Sequence, residues 1–293
     1  MSTLTGRLKT ENIMQTFIKR NPLISMYILM FTLTWSFMIP QALYSQGMIS
    51  TPLPVFFSIL TGWAPGIAAL IVSAIVAGRT GVRELLGRFL IWRVGARWYL
   101  VGFFLLAALI LGGIGLHVLF GGAVPVIPAA GDPLWDIALT FLIFVLLGFL
   151  FNTEEIAWRG FALPRLQSRY GALTAALFIV VPEILIHVPL YWMKDSFIRS
   201  VGIGWFSIFS AAIVLVYIYI FNRTTGSLLI VTLLHASQNA WSSLLSDNSA
   251  QPFYFTVVLT CVLALTLIVV TKGKLGYQAE QPNAQTFSAE KVP

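Results

Sequence analysis

The chain has 293 residues, of which 58% are hydrophobic, 14% aromatic and only 10% charged, with a mean hydropathy of +0.85. A soluble domain carries charge on about a quarter of its residues, so this composition is that of a polytopic membrane protein. The aromatic content excludes a disordered chain, and a single cysteine, Cys261, excludes a disulfide framework; the net charge of +7 sits beside apolar runs, which points to a membrane surface and not to nucleic acid.

Eight runs are long and apolar enough to cross a bilayer core, which takes roughly 20 residues of helix. They cover approximately Leu23–Leu43, Pro54–Ala77, Tyr99–Phe120, Leu134–Phe151 with an extension past Glu155, Ala172–Trp192, Gly202–Phe221, Ser227–Leu245 and Phe253–Val270. No small-x-small cleavage pattern follows the first run, so it is expected to remain in the mature protein. Residues 1–22 then read as a cytosolic tail, 23–271 as one membrane domain with its core at about 99–245, and 272–293 as a disordered cytosolic end. With the N-terminus in the cytosol, only Lys194 and Arg199 of the 18 Lys and Arg fall outside, the asymmetry of the positive-inside rule. The expected fold is therefore all-α, with eight transmembrane helices and both termini inside.

Between the second and third spans, Val82, Leu85, Leu86, Phe89 and Leu90 recur at helical spacing while Arg83, Glu84 and Arg88 take the other face. This predicts an amphipathic helix lying flat on anionic lipid at the inner leaflet, with Trp92, Trp98 and Tyr99 as interfacial anchors.

An ionisable side chain inside a span is costly unless paired or wet, so each is a functional candidate. If the fourth helix runs on through Asn152–Gly160, Glu155 and Arg159 stand at i and i+4, while Glu154 is turned by about 100°. One carboxylate is then neutralised and the other left free, although a solvated charge pair at a helix end is spelled the same way. His235 and Asn239 share a face in a stretch, Leu233–Ala240, too polar to meet lipid, which predicts a cavity lining. His187 lies between Pro182 and Pro189, whose rings kink the helix and free carbonyls. His117 and Cys261 have no polar companions and read as core or interfacial residues. Converged, the carboxylates, the two histidines and the amide would assemble hydrolysis within the membrane: Glu as base for a water, His and Asn to hold it or to stabilise an oxyanion. Glu with two His is also a zinc ligand set.

Glu154-Glu155-x-x-x-Arg159, followed by Gly160-Phe161 and a Leu163/Leu166 pattern, with His235-x-x-x-Asn239 two spans later, resembles the CPBP family of intramembrane proteases. These are the Abi-like group of CAAX proteases, or type II prenyl endopeptidases, and bacteriocin-processing enzymes. The likeness covers roughly Tyr99 to Leu245, and Trp92-Arg93-Val94 leading into Trp98-Tyr99-Leu100 resembles the run that precedes the family's core. The resemblance implies an eight-span protein of the bacterial plasma membrane with a cavity open toward cytosol and leaflet. It implies an endopeptidase for a membrane-associated peptide or protein, lipidated or carrying a leader. By motif position Glu154 would be the general base, Glu155 the partner of Arg159 or an assistant, His187 the histidine of the second motif, and His235 and Asn239 the third. Zinc, if used, would be held by Glu154, His187 and His235, and the residues permit either mechanism.

One position departs from the pattern, since Glu183 stands where the second motif has an aromatic four residues before its histidine. It is expected to be protonated or paired to His187; otherwise the protein is a non-catalytic relative, acting as an immunity or scaffold factor. Measured from Ala172, His187 would lie about 22 Å deep, whereas Glu154 is expected near the inner end of its own span.

Overall fold

A computed structural model describes residues 13–51, 53–246 and 249–278. Their regular structure is helical throughout: α1 (Ile13–Arg20), α2 (Pro22–Ser45), α3 (Phe56–Gly87), α4 (Ala96–Leu119), α5 (Leu134–Phe151), a π-helical turn (Ile156–Ala162) leading into α6 (Leu163–Tyr170), α7 (Ala172–Ile186), the short α8 (Val188–Trp192) and α9 (Phe197–Val201), α10 (Ile203–Arg223), α11 (Leu228–Leu245) and α12 (Ala250–Val270). Seven segments among the described residues are long and apolar enough to cross a membrane, those built on α2, α3, α4, α5, α7 with α8, α10 and α12. The chain is an integral multi-pass membrane protein. The eighth expected span is α11, 18 residues long, whose His-Ala-Ser-Gln-Asn stretch makes it the least apolar of the eight.

The ends of these helices are tied by side-chain hydrogen bonds. Ser227 Oγ donates to the Ile91 carbonyl at 2.7 Å, Gln167 Nε2 to Asn222 Oδ1 at 2.9 Å, and Asn222 Nδ2 to the Leu275 carbonyl at 3.0 Å. Arg93, Arg97, Arg165, Arg169, Arg223, Lys272 and Lys274 therefore gather at one end of the bundle. Of the expected disordered end, residues 272–278 are turns with Leu275 fully buried; residues 279–293 with Lys291, and the first twelve with Arg7 and Lys9, lie outside the described residues. Lys194 and Arg199 sit at the other end, where the Lys194 amide donates to Ser45 Oγ at 2.8 Å.

The amphipathic segment is present, with two of the residues expected to face lipid turned into the core instead. Gly78, at φ 61° and ψ −149°, bends α3 in a backbone region that side chains disfavour, and Arg79–Gly87 leaves the axis of the span. Leu85 does not face lipid: it is buried in the core, packed with Leu228 over Gly160, while Leu86 and Leu90 stay exposed. Trp98 is likewise a core residue, edge-on to Tyr219 at 6.1 Å. Their apolar area is worth more against protein that also satisfies shape than against fluid lipid.

Candidate active site

The fourth helix does not run through the acidic motif. Asn152 is extended, at φ −109° and ψ 111°, and the helix restarts at Glu154. The break is docked on α3, where Gly62 and Gly66 let the backbones approach: a Cβ on Gly62 would collide with the Phe151 carbonyl, and one on Gly66 would lie 2.6 Å from the Thr153 side chain. Thr153 then enters the hydrogen-bond ladder of α3. Its Oγ1 accepts from Gly66 N at 2.9 Å and donates to the Gly62 carbonyl at 2.9 Å, with the Trp63 carbonyl at 3.1 Å. The same Gly62 carbonyl accepts from Thr153 N at 3.0 Å. Pro65, one turn on, has no N–H to give and already loosens this ladder. Asn152 caps the new helix, its Oδ1 accepting from Glu154 N at 3.0 Å.

From Glu154 the chain runs to Tyr170, turns at Gly171 and returns along α7 to His187. The two arms are of nearly equal length, about 24 Å each at 1.5 Å per residue. Glu154 and His187 are therefore level at the open end of an antiparallel hairpin, and Arg159 and Glu183 are level one turn further in. The expectation that Glu154 ends its span near the inner surface is overturned by this second helical arm, which carries the chain the rest of the way.

Arg159, 1% exposed, lies between two carboxylates: its Nη1 donates to Glu155 Oε1 at 3.2 Å and to Glu183 Oε2 at 3.1 Å, with its guanidinium 4.6 Å over the Tyr217 ring. Glu183 thus pairs with Arg159 and not, as expected, through its carboxylate with His187. What reaches His187 is the Glu183 main-chain carbonyl, which accepts from Nδ1 at 2.6 Å. That carbonyl is available because the last turn of α7 tightens and the His187 amide bonds to Ile184 instead.

His235, on α11, donates from Nδ1 to Glu155 Oε1 at 2.9 Å, and its Nε2 lies 3.1 Å from Asn152 Nδ2. Since the Asn152 oxygen is taken by Glu154 N, its amide nitrogen faces the ring and donates, so Nε2 of His235 is an acceptor. Glu154 is held differently from the other two carboxylates. Trp158 Nε1 donates to its Oε2 at 3.3 Å, its Oε1 lies 3.9 Å from His187 Nε2, and its side chain keeps 15% exposure. Glu155 keeps 2%.

Five of the six residues singled out from the sequence, Glu154, Glu155, Arg159, His187 and His235, come together. Asn239 is one turn beyond His235 on the same helix, exposed, and its side chain makes no hydrogen bond among the described residues. Asn152, Thr153, Trp158 and Tyr217 belong to the site and were not singled out. A polar Asn-Thr pair interrupting an apolar span, opposite Gly62-x-x-x-Gly66 in the second, was the available signal. His117 is buried beside Phe255, as a core residue.

Among the described residues no three His, Cys, Asp or Glu side chains form a group that could hold a metal. The expected set of Glu154, His187 and His235 does not fit zinc in this arrangement, because the lone pair His235 would offer from Nε2 is engaged by Asn152.

Residues 133–241 match a family model described as type II CAAX prenyl endopeptidase Rce1-like. CAAX prenyl protease 2 of Methanococcus maripaludis is 27% identical over 218 residues, which is 70% of this chain and 79% of that protein. The stretch matched by the family model contains the acidic motif, Glu183, His187, Tyr217, His235 and Asn239.

Proposed function

We propose that this chain, a member of the CPBP, type II CAAX endopeptidase family that both matches support, is an intramembrane endopeptidase in which Glu154 activates a water against a peptide bond. The observation that carries this reading is the division of labour among three carboxylates. Arg159 holds Glu155 and Glu183, while Glu154 makes no ion pair with it and faces His187 Nε2 at 3.9 Å, its side chain 15% exposed against 13% for Glu183 and 2% for Glu155. That separation exceeds a direct hydrogen bond and matches two groups that share one water.

In the reaction, Glu154 takes one proton of a water held between its Oε1 and His187 Nε2, and the oxygen attacks the carbonyl carbon. The oxyanion needs donors, and we assign one of them to the side-chain amide of Asn239, one turn beyond His235 on the same helix. Glu154 then returns its proton to the amine as the C–N bond breaks, so the base is regenerated. His235 and Glu155 keep the site's polar groups fixed and dry. We take α11 as an eighth span, with the basic end of the bundle and both termini in the cytosol, in line with the positive-inside rule. We assign to it a membrane-associated substrate, and the relative's name makes a prenylated C-terminal peptide the first to try.

Purified protein in detergent, incubated with fluorogenic lipidated peptides with and without a chelator, tests the reading. Wild type is expected to cleave, and Glu154→Gln to lose cleavage while keeping its melting temperature. Undiminished cleavage by Glu154→Gln overturns it, and a folded wild type inert across the library favours a scaffold role.

A further inference from the structure

The polar contacts of the site form a chain whose ends face each other across the 3.9 Å between Glu154 and His187, and one residue occupies it twice. From the Glu183 carboxylate the path runs through Arg159 to Glu155 Oε1, on to His235 Nδ1, from His235 Nε2 to Asn152 Nδ2, and from Asn152 Oδ1 to the Glu154 amide. It then crosses from Glu154 Oε1 to His187 Nε2, and returns from His187 Nδ1 to the main-chain carbonyl of the same Glu183. We propose that Glu183 is a positioning residue that fixes both catalytic-site histidines as Nδ1–H tautomers, its carbonyl acting on His187 and its carboxylate, through Arg159 and Glu155, on His235. This rests on the reading of Glu154 as base.

The chemistry at each junction sets the direction of the protons. A main-chain carbonyl only accepts, so His187 Nδ1 bears hydrogen, and in the neutral ring the Nε2 lone pair faces Glu154. For His235 the deciding atom is Glu155 Oε1, which accepts at once from Arg159 at 3.2 Å and from His235 at 2.9 Å. One arginine nitrogen serves both carboxylates. Remove Glu183 and the whole guanidinium is free to turn onto Glu155, whose Oε2 is a buried atom without a partner, alongside Arg159 Nε and Nη2. A fork-to-fork pair would satisfy these atoms and draw Oε1 away from the imidazole. His235 would then lose the acceptor that selects its tautomer, and Asn152 its acceptor beside Glu154. Glu183 thus holds the arginine in a shared geometry that Arg159 and Glu155 alone would abandon.

The chain has 3 histidines, so imidazole nitrogen spectra of ¹⁵N-histidine protein in micelles can be assigned by single substitutions. In wild type both His187 and His235 are expected as Nδ1–H tautomers. In Glu183→Leu the His235 signals are expected to move toward a tautomer mixture while those of His187 stay, because the carbonyl survives the substitution. kcat should fall about 10- to 100-fold with KM unchanged. Glu183→Gln, which keeps an oxygen for Arg159 but not the charge, is expected to show the same changes to a smaller degree and serves if the leucine variant does not fold. His235 remaining Nδ1–H in both variants overturns the proposal, whether or not kcat falls, as does a wild-type kcat in both. Glu154→Gln separates the two readings: it is expected to abolish cleavage and leave the His235 spectrum unaltered, and cleavage surviving there overturns the base assignment without touching the His235 tautomer result.

Discussion

Thr153→Val is the sharpest probe of how the acidic motif is placed. Valine has nearly the shape of threonine, so the change removes one hydroxyl and little else. Three contacts go with it: acceptance from Gly66 N at 2.9 Å, and donation to the carbonyls of Gly62 and Trp63 at 2.9 and 3.1 Å. Valine offers the Gly66 amide no acceptor in place of that hydroxyl. A buried amide left unpaired costs about 1–3 kcal/mol and the lost donor bond about 1 more, so the sum is about 2–4 kcal/mol. At roughly 2–4 °C per kcal/mol for a chain of this size, the melting temperature should fall by about 4–16 °C. Thr153→Ser keeps the hydroxyl and loses one methyl, a cost of about 1 kcal/mol. Tryptophan fluorescence during a thermal ramp in detergent reads both variants, with Trp63 and Trp158 close to the break. If valine melts with wild type, the hydroxyl does not hold the break. If serine and valine melt together far below wild type, the methyl does, and the ladder argument fails.

Gly62→Ala drives a Cβ into the backbone carbonyl of Phe151, so it should destabilise more than Thr153→Val, and a wild-type melting temperature would contradict the close approach. Asn239→Ala removes a side chain with no internal bond and should lower kcat without moving the melting temperature, whereas Asn152→Ala, which strips both the Glu154 cap and the His235 contact, should lower both. Tyr217→Phe loses only the hydroxyl donated to Gln238 at 3.2 Å and keeps the ring under Arg159; it should cost about 1 kcal/mol, against about 3–5 kcal/mol for Tyr217→Ala, where the aromatic volume and the cation–π contact both go. Equal losses in the two tyrosine variants, read from the same thermal ramps, would show that the ring does not support the arginine.

Much of the site was legible because its logic is local or compositional. Glu155 and Arg159 are four residues apart, and any helical turn through them makes a pair. His235 stands in a stretch too polar for lipid, which marks a lining wherever the helix lies. Glu183 stood out as a carboxylate where the resembled motif has an aromatic, yet of its two expected states, protonated or paired to His187, the pairing named the wrong partner. Four residues separate it from His187, and the spacing rule that joined Glu155 to Arg159 suggested the same here. The nearer attraction came from another helix, and spacing along one helix carries no information about that.

The sequence by itself determined that this is a multi-pass helical membrane protein and which few polar residues to inspect. A bilayer core admits only backbone that bonds to itself, so length and hydropathy report the spans directly, and any charge within them stands out. Only the tertiary structure decided where those residues meet. Asn152-Thr153 is a weak interruption that an isolated helix would pass through; it becomes a break because Gly62 and Gly66 of another span let it dock and Thr153 takes over a rung of that helix's ladder. The break starts a second arm at Glu154, the turn at Gly171 sets its length against α7, and these two facts bring Glu154 level with His187 and Arg159 level with Glu183. Such heights depend on which helices are neighbours, and close packing between distant segments, not periodicity within one, is what fixes neighbours.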